Sequence, residues 1–359
     1  MLAYVGRRLL LAVPVLLGIL IATFLLARAI PGEPCRAMLG ERATAESCAA
    51  FERNKGLDRP VPVQLGIYIG DVLKGDFGNS IRFSRPVSQI LIERLPMTIE
   101  LSMTALFIAL LVGIPLGIVA AMRHNSAVDV GTMMFANVGV SMPVFWLGLL
   151  LAYFFGLVLR NTWFALPPSG RLSPGMISVP FYEQWGWGLA DGTFPHTVVE
   201  FIGNHFIFNA FITGNWELFG NAIQHLILPA VALSTIPMAI IARMTRSSLL
   251  DTLGRDYIRT ARAKGAAERR VVVRHALRNA MLPVVTIVGL QMGALLSGAV
   301  LTETVFGLAG AGTMLFEAIS ARDFPIIQGF TVIIATGYVV INLIVDLSYA
   351  YLDPRIRLE

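Results

Sequence analysis

The chain has 359 residues, of which 55% are hydrophobic and 14% charged, and its mean hydropathy is +0.69. A soluble domain carries about 25% charged residues, so this composition excludes an ordinary soluble globular protein and points to the membrane. The formal net charge is +5, and two cysteines, Cys35 and Cys48, are too few for a disulfide framework or a four-ligand zinc site.

From the N-terminus, Arg7 and Arg8 precede an apolar run, Leu9–Ile30, in which Ala27-Arg28-Ala29 has the small-x-small form of a signal-peptidase site. A signal h-region covers roughly 7–15 residues, so the longer run here is expected to stay as a first transmembrane span. Further spans are expected at Thr98–Met122, Val130–Leu159, Ala222–Met244, Met281–Val305 and Ile326–Tyr349. Lipid offers no partner for backbone polar groups, so all of them are helices. Pro115, Pro143, Pro229 and Pro237 fall inside these spans and are expected to kink helices, not to break them. Val198–Ile212 is apolar but short, and Glu200, Asn204, His205 and Asn209 interrupt it. It reads as an interfacial or extracytoplasmic helix, not a seventh crossing. The expected fold is an all-α membrane protein with six transmembrane helices. Residues 1–96 hold the first helix and an extracytoplasmic loop, and residues 97–359 hold a five-helix core.

Lys and Arg in the short connections set the orientation. An even number of spans puts Arg7, Arg8, Arg123, the Arg243–Arg278 loop, Arg355 and Arg357 on one side, which is therefore cytoplasmic together with both termini. Two long segments, Gly32–Pro96 and Arg160–Asn221, then lie outside. Cys35 and Cys48 fall in the first of them, where a disulfide is expected and two unpaired thiols are the alternative.

Catalytic motifs are missing. There is no Gly-Lys dipeptide, hence no phosphate loop, and H-E-x-x-H, G-x-S-x-G and G-x-G-x-x-G do not occur. His124, His196, His205, His225 and His275 are scattered and suggest no metal site. No enzyme activity is expected. Polar residues inside spans are the usual pointers to a pathway, and these are Asn137, Gln291, Asn342 and Asp346. Asn342 and Asp346 lie one turn apart on a shared face, and Asp346 is expected to meet water or an arginine of the basic loop. Glu303 is expected near the outer headgroups. A proton-coupled carrier would need carboxylates nearer the midplane, which speaks against a secondary transporter.

Arg259–Ala280 carries six arginines and one lysine against one acid, Glu268. A nucleic-acid patch is disfavoured because no aromatic is present to stack a base. Attraction to anionic lipid accounts for part of the charge. A third reading rests on residue order: Thr260-Ala261-Arg262-Ala263-Lys264-Gly265 reads as a short helix stopped by glycine, and Ala266-Ala267-Glu268-Arg269-Arg270 restarts helix. Such a segment suits docking against another protein.

Here the sequence resembles the coupling loop of bacterial ABC-importer permeases, in particular the oligopeptide, dipeptide and nickel permease family. Against the general pattern E-A-A-x-x-x-G…I-x-L-P, Gly265, Ala261 and Leu277 match, while Arg259, Thr260, His275 and Arg278 depart. Tyr257–Gly265 and Arg274–Pro283 are similar to the peptide branch's own form, Y-I-R-T-A-R-A-K-G…R-H-A-L-R-N-A-x-L-P. Further similarity lies in Pro31-Gly32-Glu33-Pro34, Gly56-Leu57-Asp58, Gly75–Ser80, Arg94–Thr98, Glu303–Phe306, Gly310, Gly312, Arg322–Pro325, Asp346 and Tyr351–Arg355. Ala309 stands where the family has proline, and Arg160–Asn221 looks expanded.

The resemblance implies the ABC importer permease fold, with the coupling loop at 245–280 and Thr260, Ala261, Arg262, Ala263, Lys264 and Gly265 in the groove of an ATPase. It implies a second homologous permease as a heterodimer partner, two cytoplasmic ATPase subunits that hold the ATP and Mg, and an extracytoplasmic binding protein. This chain would bind no cofactor itself, contact lipid and no nucleic acid, and sit in the bacterial cell membrane. The implied cargo is a short peptide, with nickel chelate, glutathione or another small solute as alternatives.

Overall fold

The structure, a computed structural model, describes residues 2–29, 44–55, 58–190 and 192–352. Among them, five helices are long and apolar enough to cross a membrane, and a bent pair makes a sixth crossing if it is one span. The first helix, α1 (Leu2–Ala29), is followed by two short helices, α2 (Ala45–Lys55) and α3 (Val61–Leu73). Helix α4 (Val87–Met122) starts eleven residues ahead of the expected Thr98 and so projects beyond the apolar run.

The third span corrects an expectation. It is two helices, α5 (Ala127–Ser141) and α6 (Val144–Tyr153, continued by a π-turn at Phe154–Val158), bent by 97°. Proline lacks an N–H and forces the residue before it out of helical geometry. Met142 accordingly sits at φ −100°, ψ 134°, and Pro143 starts the next helix. At Pro115, Pro229 and Pro237 the helices run through, as expected.

The Val198–Ile212 stretch is two short helices, α8 (Phe194–Gly203) and α9 (Phe206–Ile212), preceded by one turn, α7 (Phe181–Gln184). Helix α10 (Trp216–Leu253) is the hub: 78% of its apolar window is buried, against 11% for α1. After the basic loop, α13 (Leu277–Gly298) stops short of the expected Val305, and a separate helix, α14 (Val300–Val305), follows. Helices α15 (Ala311–Ala321) and α16 (Phe324–Leu352) complete the chain.

Helices in lipid gain no hydrophobic advantage from association, so close contact falls to small residues. Gly113 and Gly117 of α4 face α10, where a Cβ at Gly117 would lie 2.6 Å from the Ala242 carbonyl oxygen. Gly139 of α5 meets Thr235, and Gly289 and Gly293 of α13 meet Val345 and Tyr338 of α16.

Three buried carboxylates fasten the connecting segments, the outer layer in the expected orientation, to the bundle. Glu100 on α4 accepts from Arg171 Nη2 at 2.8 Å and from the Ile207 N–H at 2.8 Å. The Arg171 guanidinium lies 3.5 Å from the centre of the Phe206 ring and also donates to the Asn204 carbonyl. Burial pushes Arg171 below its ordinary pKa, and the Glu100 charge opposes that shift. Asp323 accepts from Ser80 Oγ at 2.5 Å and the Arg82 N–H at 3.0 Å. Glu303 was expected at the headgroups. It is instead fully buried, taking hydrogen bonds from Thr98 Oγ1 at 2.5 Å and the Thr313 N–H at 2.8 Å. Thr98 and Thr313 lie far from Glu303 in sequence or across a turn, so these donors gather only in the folded chain. A Cβ on Gly310 would come within 2.5 Å of the Glu303 carboxylate, which accounts for glycine there.

Filling a close helix contact should be costly. Gly117→Val is expected to destabilise by about 1–3 kcal/mol, the usual scale for overpacking. Gly131→Val, which meets nothing within 4 Å, should sit near the parent. Thermal unfolding of both variants in detergent checks this; equal midpoints would contradict the contact.

Candidate functional site

The basic loop forms a compact platform. Helix α11 (Asp256–Ala263) begins with Asp256, whose charge complements the positive end of the helix dipole. Ile258 is fully buried and Ala261 half-buried, packed with Leu249, Val271, Val272 and Ala276. Tyr257, Arg259, Thr260, Arg262, Ala263, Lys264 and Gly265 are exposed. Of the six residues expected to dock, five therefore present themselves outward, while Ala261 turns toward the chain's own core.

The stop is a Schellman arrangement. The Ala266 N–H donates to the Ala261 carbonyl at 3.2 Å and the Gly265 N–H to the Arg262 carbonyl at 2.9 Å. This geometry needs a left-handed residue, and Gly265 supplies it at φ +78° with open space around it. The second half restarts as α12 (Glu268–Arg270) and passes through a π-turn at Val271–Ala276 into α13. The wide turn puts Val271, Val272, Ala276 and Ala280 on the buried side and leaves Arg274 and Arg278 outside.

One hydrogen bond ties the platform helix α11 to α13, and a second joins α10 to α13 beside it. Asn279 Nδ2 donates to Tyr257 Oη at 2.8 Å, and Ser248 Oγ donates to the Ala280 carbonyl at 2.7 Å. Arg262 donates to Glu268 at 3.0 and 2.6 Å, which raises its pKa and closes the glycine turn from outside. The outward face is strongly basic: Arg259, Arg262, Lys264, Arg269, Arg270, Arg274 and Arg278 stand against two acids, Asp256 and Glu268.

The polar residues expected within spans do not form one site. Asn137 on α5 accepts from Arg243 Nη1 at 2.9 Å. Gln291 is half-buried on α13, and Asn342 half-buried on α16. Asp346 pairs with Arg8 of α1 at 3.2 Å, so its partner is on the N-terminal helix and not on the basic loop. The expected Cys35–Cys48 pairing involves Cys35, which lies outside the described residues. Sequence reasoning missed the ion pair of Asp129 with Arg246, made at 2.7 Å to each oxygen. A signal was present: Ser126-x-x-Asp129 is a helix-start pattern, in which Ser126 Oγ accepts from the Asp129 N–H and the Asp129 carboxylate accepts from the Asn125 N–H.

With this geometry in place, comparison identifies what the chain is similar to. Residues 113–358 match the family described as the binding-protein-dependent transport system inner membrane component, and residues 1–102 match its N-terminal counterpart. The chain is 45% identical to the dipeptide transport system permease protein DppB of Alkalihalophilus pseudofirmus, over 99% of this chain and 100% of that one. It is 42% identical to the DppB protein of Escherichia coli K12, over 99% of each. A probable D,D-dipeptide transport system permease protein, DdpB of Escherichia coli K12, is 41% identical over 95% of this chain and 94% of its own. The first two alignments run nearly end to end. They therefore include residues 160–221, the stretch that looks expanded against the general pattern.

Removing the Tyr257 hydroxyl tests how firmly the platform is held. Tyr257→Phe loses one hydrogen bond, worth ~1 kcal/mol. Amide hydrogen exchange across residues 256–264 is expected to quicken roughly five-fold with the rest of the chain unchanged. An unaltered exchange rate would show that the Asn279 contact does not hold the helix.

Proposed function

The chain belongs to the inner-membrane components of binding-protein-dependent transport systems, and from that premise we propose that it is the transmembrane permease subunit of an ATP-driven importer of short peptides. The observation that carries this reading is the end-to-end identity with dipeptide permeases, at 45% and 42%. The platform supports it. A short helix that exposes small and basic residues, closed by a left-handed glycine and joined to two membrane helices, suits docking into a cytoplasmic ATPase.

In this reading the chain hydrolyses nothing itself. Two ATPase subunits bind ATP and Mg and grip α11 and its counterpart on a second, homologous permease. An extracytoplasmic binding protein delivers the peptide to the outer layer. Closure of the ATPases moves α11, the Tyr257–Asn279 contact passes that movement into α13, and the Ser248–Ala280 contact passes it on to α10. The basic loop and both termini face the cytoplasm, and Cys35 and Cys48 pair outside.

Reconstitution of the full importer in liposomes tests the proposal. Uptake of a dipeptide should require ATP and the binding protein, and uptake without any ATPase subunit would overturn it. Gly265→Arg should abolish ATP-coupled uptake, by more than about 100-fold, while the chain still inserts. Two effects combine: an L-residue in left-handed geometry costs about 1–2 kcal/mol, and a long side chain fills the open space beside Gly265 that a partner would approach. Normal uptake by this variant would remove the coupling role from the platform.

A further inference from the structure

Most charged groups near the membrane region are matched. Asp346 holds Arg8, and Asp129 holds Arg246 through two hydrogen bonds. Arg243 has no such carboxylate partner among the described residues. The sequence places it at the start of a cytoplasmic loop, but α10 runs on to Leu253, so Arg243 lies ten residues inside the helix end. Its side chain is exposed, and among the described residues no carboxylate lies within ion-pair distance of it. Nη1 donates to Asn137 Oδ1 at 2.9 Å.

Depth makes this unusual. Asn137 is ten residues beyond the start of α5 at Ala127, roughly 15 Å at 1.5 Å per residue. Asn137 lies within a helix pair that is long and apolar enough, taken together, to cross a ~30 Å hydrocarbon core. An arginine near the end of an apolar stretch ordinarily reaches back to the nearer surface. Arg243 instead reaches inward along α5. A guanidinium that faced lipid at this depth would be strongly disfavoured, so the surface it occupies must meet water or polar groups. Ser141 continues the same polar stripe one turn further on: it is exposed, and its hydroxyl donates to the Asn137 carbonyl at 3.2 Å. The helix then breaks at Met142 and Pro143.

We propose that Arg243, positioned by Asn137, lines the translocation path and binds the terminal carboxylate of a peptide in transit. Guanidinium presents five N–H donors in a planar fork matched to a carboxylate, and Asn137 occupies one of them. The asparagine is neutral, so it orients the fork without cancelling the charge, in contrast to the Asp129 that neutralises Arg246. A short peptide carries one such carboxylate whatever its side chains, which gives a recognition element tolerant of sequence. The inference rests on the reading of the chain as a peptide permease.

Two measurements on the assembled importer, with its ATPase subunits and binding protein in liposomes, test it. Arg243→Gln is expected to lower the maximal rate of dipeptide uptake by ten-fold or more. The concentration of liganded binding protein that gives half-maximal uptake should stay unchanged. Arg243→Lys, which keeps the charge without the fork, should recover part of the rate. Uptake by Arg243→Gln within two-fold of the parent would overturn the proposal. Second, Arg243→Cys, in a chain with Cys35→Ser and Cys48→Ser, should react with a charged, membrane-impermeant thiol reagent, and dipeptide in transit should slow that reaction. A thiol unreactive because lipid or the second permease covers it would overturn the proposal, and this holds even if Arg243→Gln fails to assemble. A parent importer that took up no dipeptide would count against the substrate reading, while the thiol reactivity would still decide whether Arg243 faces the path.

Discussion

The close approach of α4 and α10 is the constraint on which the rest of the molecule depends. Gly113 and Gly117 let α10 come so near that its carbonyl oxygens at Met238 and Ala242 occupy the space a side chain would take. In lipid this contact substitutes for a hydrophobic driving force that does not exist there. Once α10 is seated, its two ends do different work. The end near Trp216 receives the 160–221 segment through Asn221, which bonds Ser173 at both its amide nitrogen and its oxygen. The inner end carries Arg243, Arg246 and Ser248, which reach α5 and α13 in turn.

The outer layer is held by a different kind of interaction. A buried carboxylate is costly unless donors surround it. Glu100, Glu303 and Asp323 each collect donors from segments distant in sequence. Removing any one donor leaves part of a charge unmatched, so the outer segment is specified in position as well as attached. Rigidity there is consistent with a surface that must be met in one geometry by another protein.

These features were unequally legible in the sequence. The platform could be read because its determinants are local: a glycine at the stop, small residues before it and a restart after it. The span count could be read because apolar length is local too. Pro143 could not be separated from Pro115, because the difference lies in what flanks each one. Around Pro115, Gly113 and Gly117 both pack on α10, so the helix stays continuous along one neighbour. Around Pro143, Gly139 packs on Thr235 of α10 while Gly148 packs under Phe306, so the two halves follow different neighbours. Glu303 was misplaced for a related reason. Its depth along the chain suggested headgroups, whereas Thr98 and the turn at Gly310–Thr313 close over it only in three dimensions.

The arrangement of α13 bears on how the proposed coupling would operate. At its inner end, just beyond the π-turn, α13 joins the platform through Asn279 and α10 through Ala280. Just past its outer end, α14 places Glu303 against Thr98 of α4. Gly289 and Gly293 between these points lock it against α16. A helix fixed at its outer end and pushed at its inner end tilts; it does not slide. The tilt is shared with α16 because the glycine contacts leave no slack. The π-turn at Val271–Ala276 interrupts the regular α-helical ladder between the platform and α13. In the proposed coupling the inner half of the bundle is the part that changes shape while the outer clamp holds. That half contains α5 below its break and the Arg243–Asn137 pair, so the group proposed to meet the peptide sits on the portion of the protein that the ATPases would move.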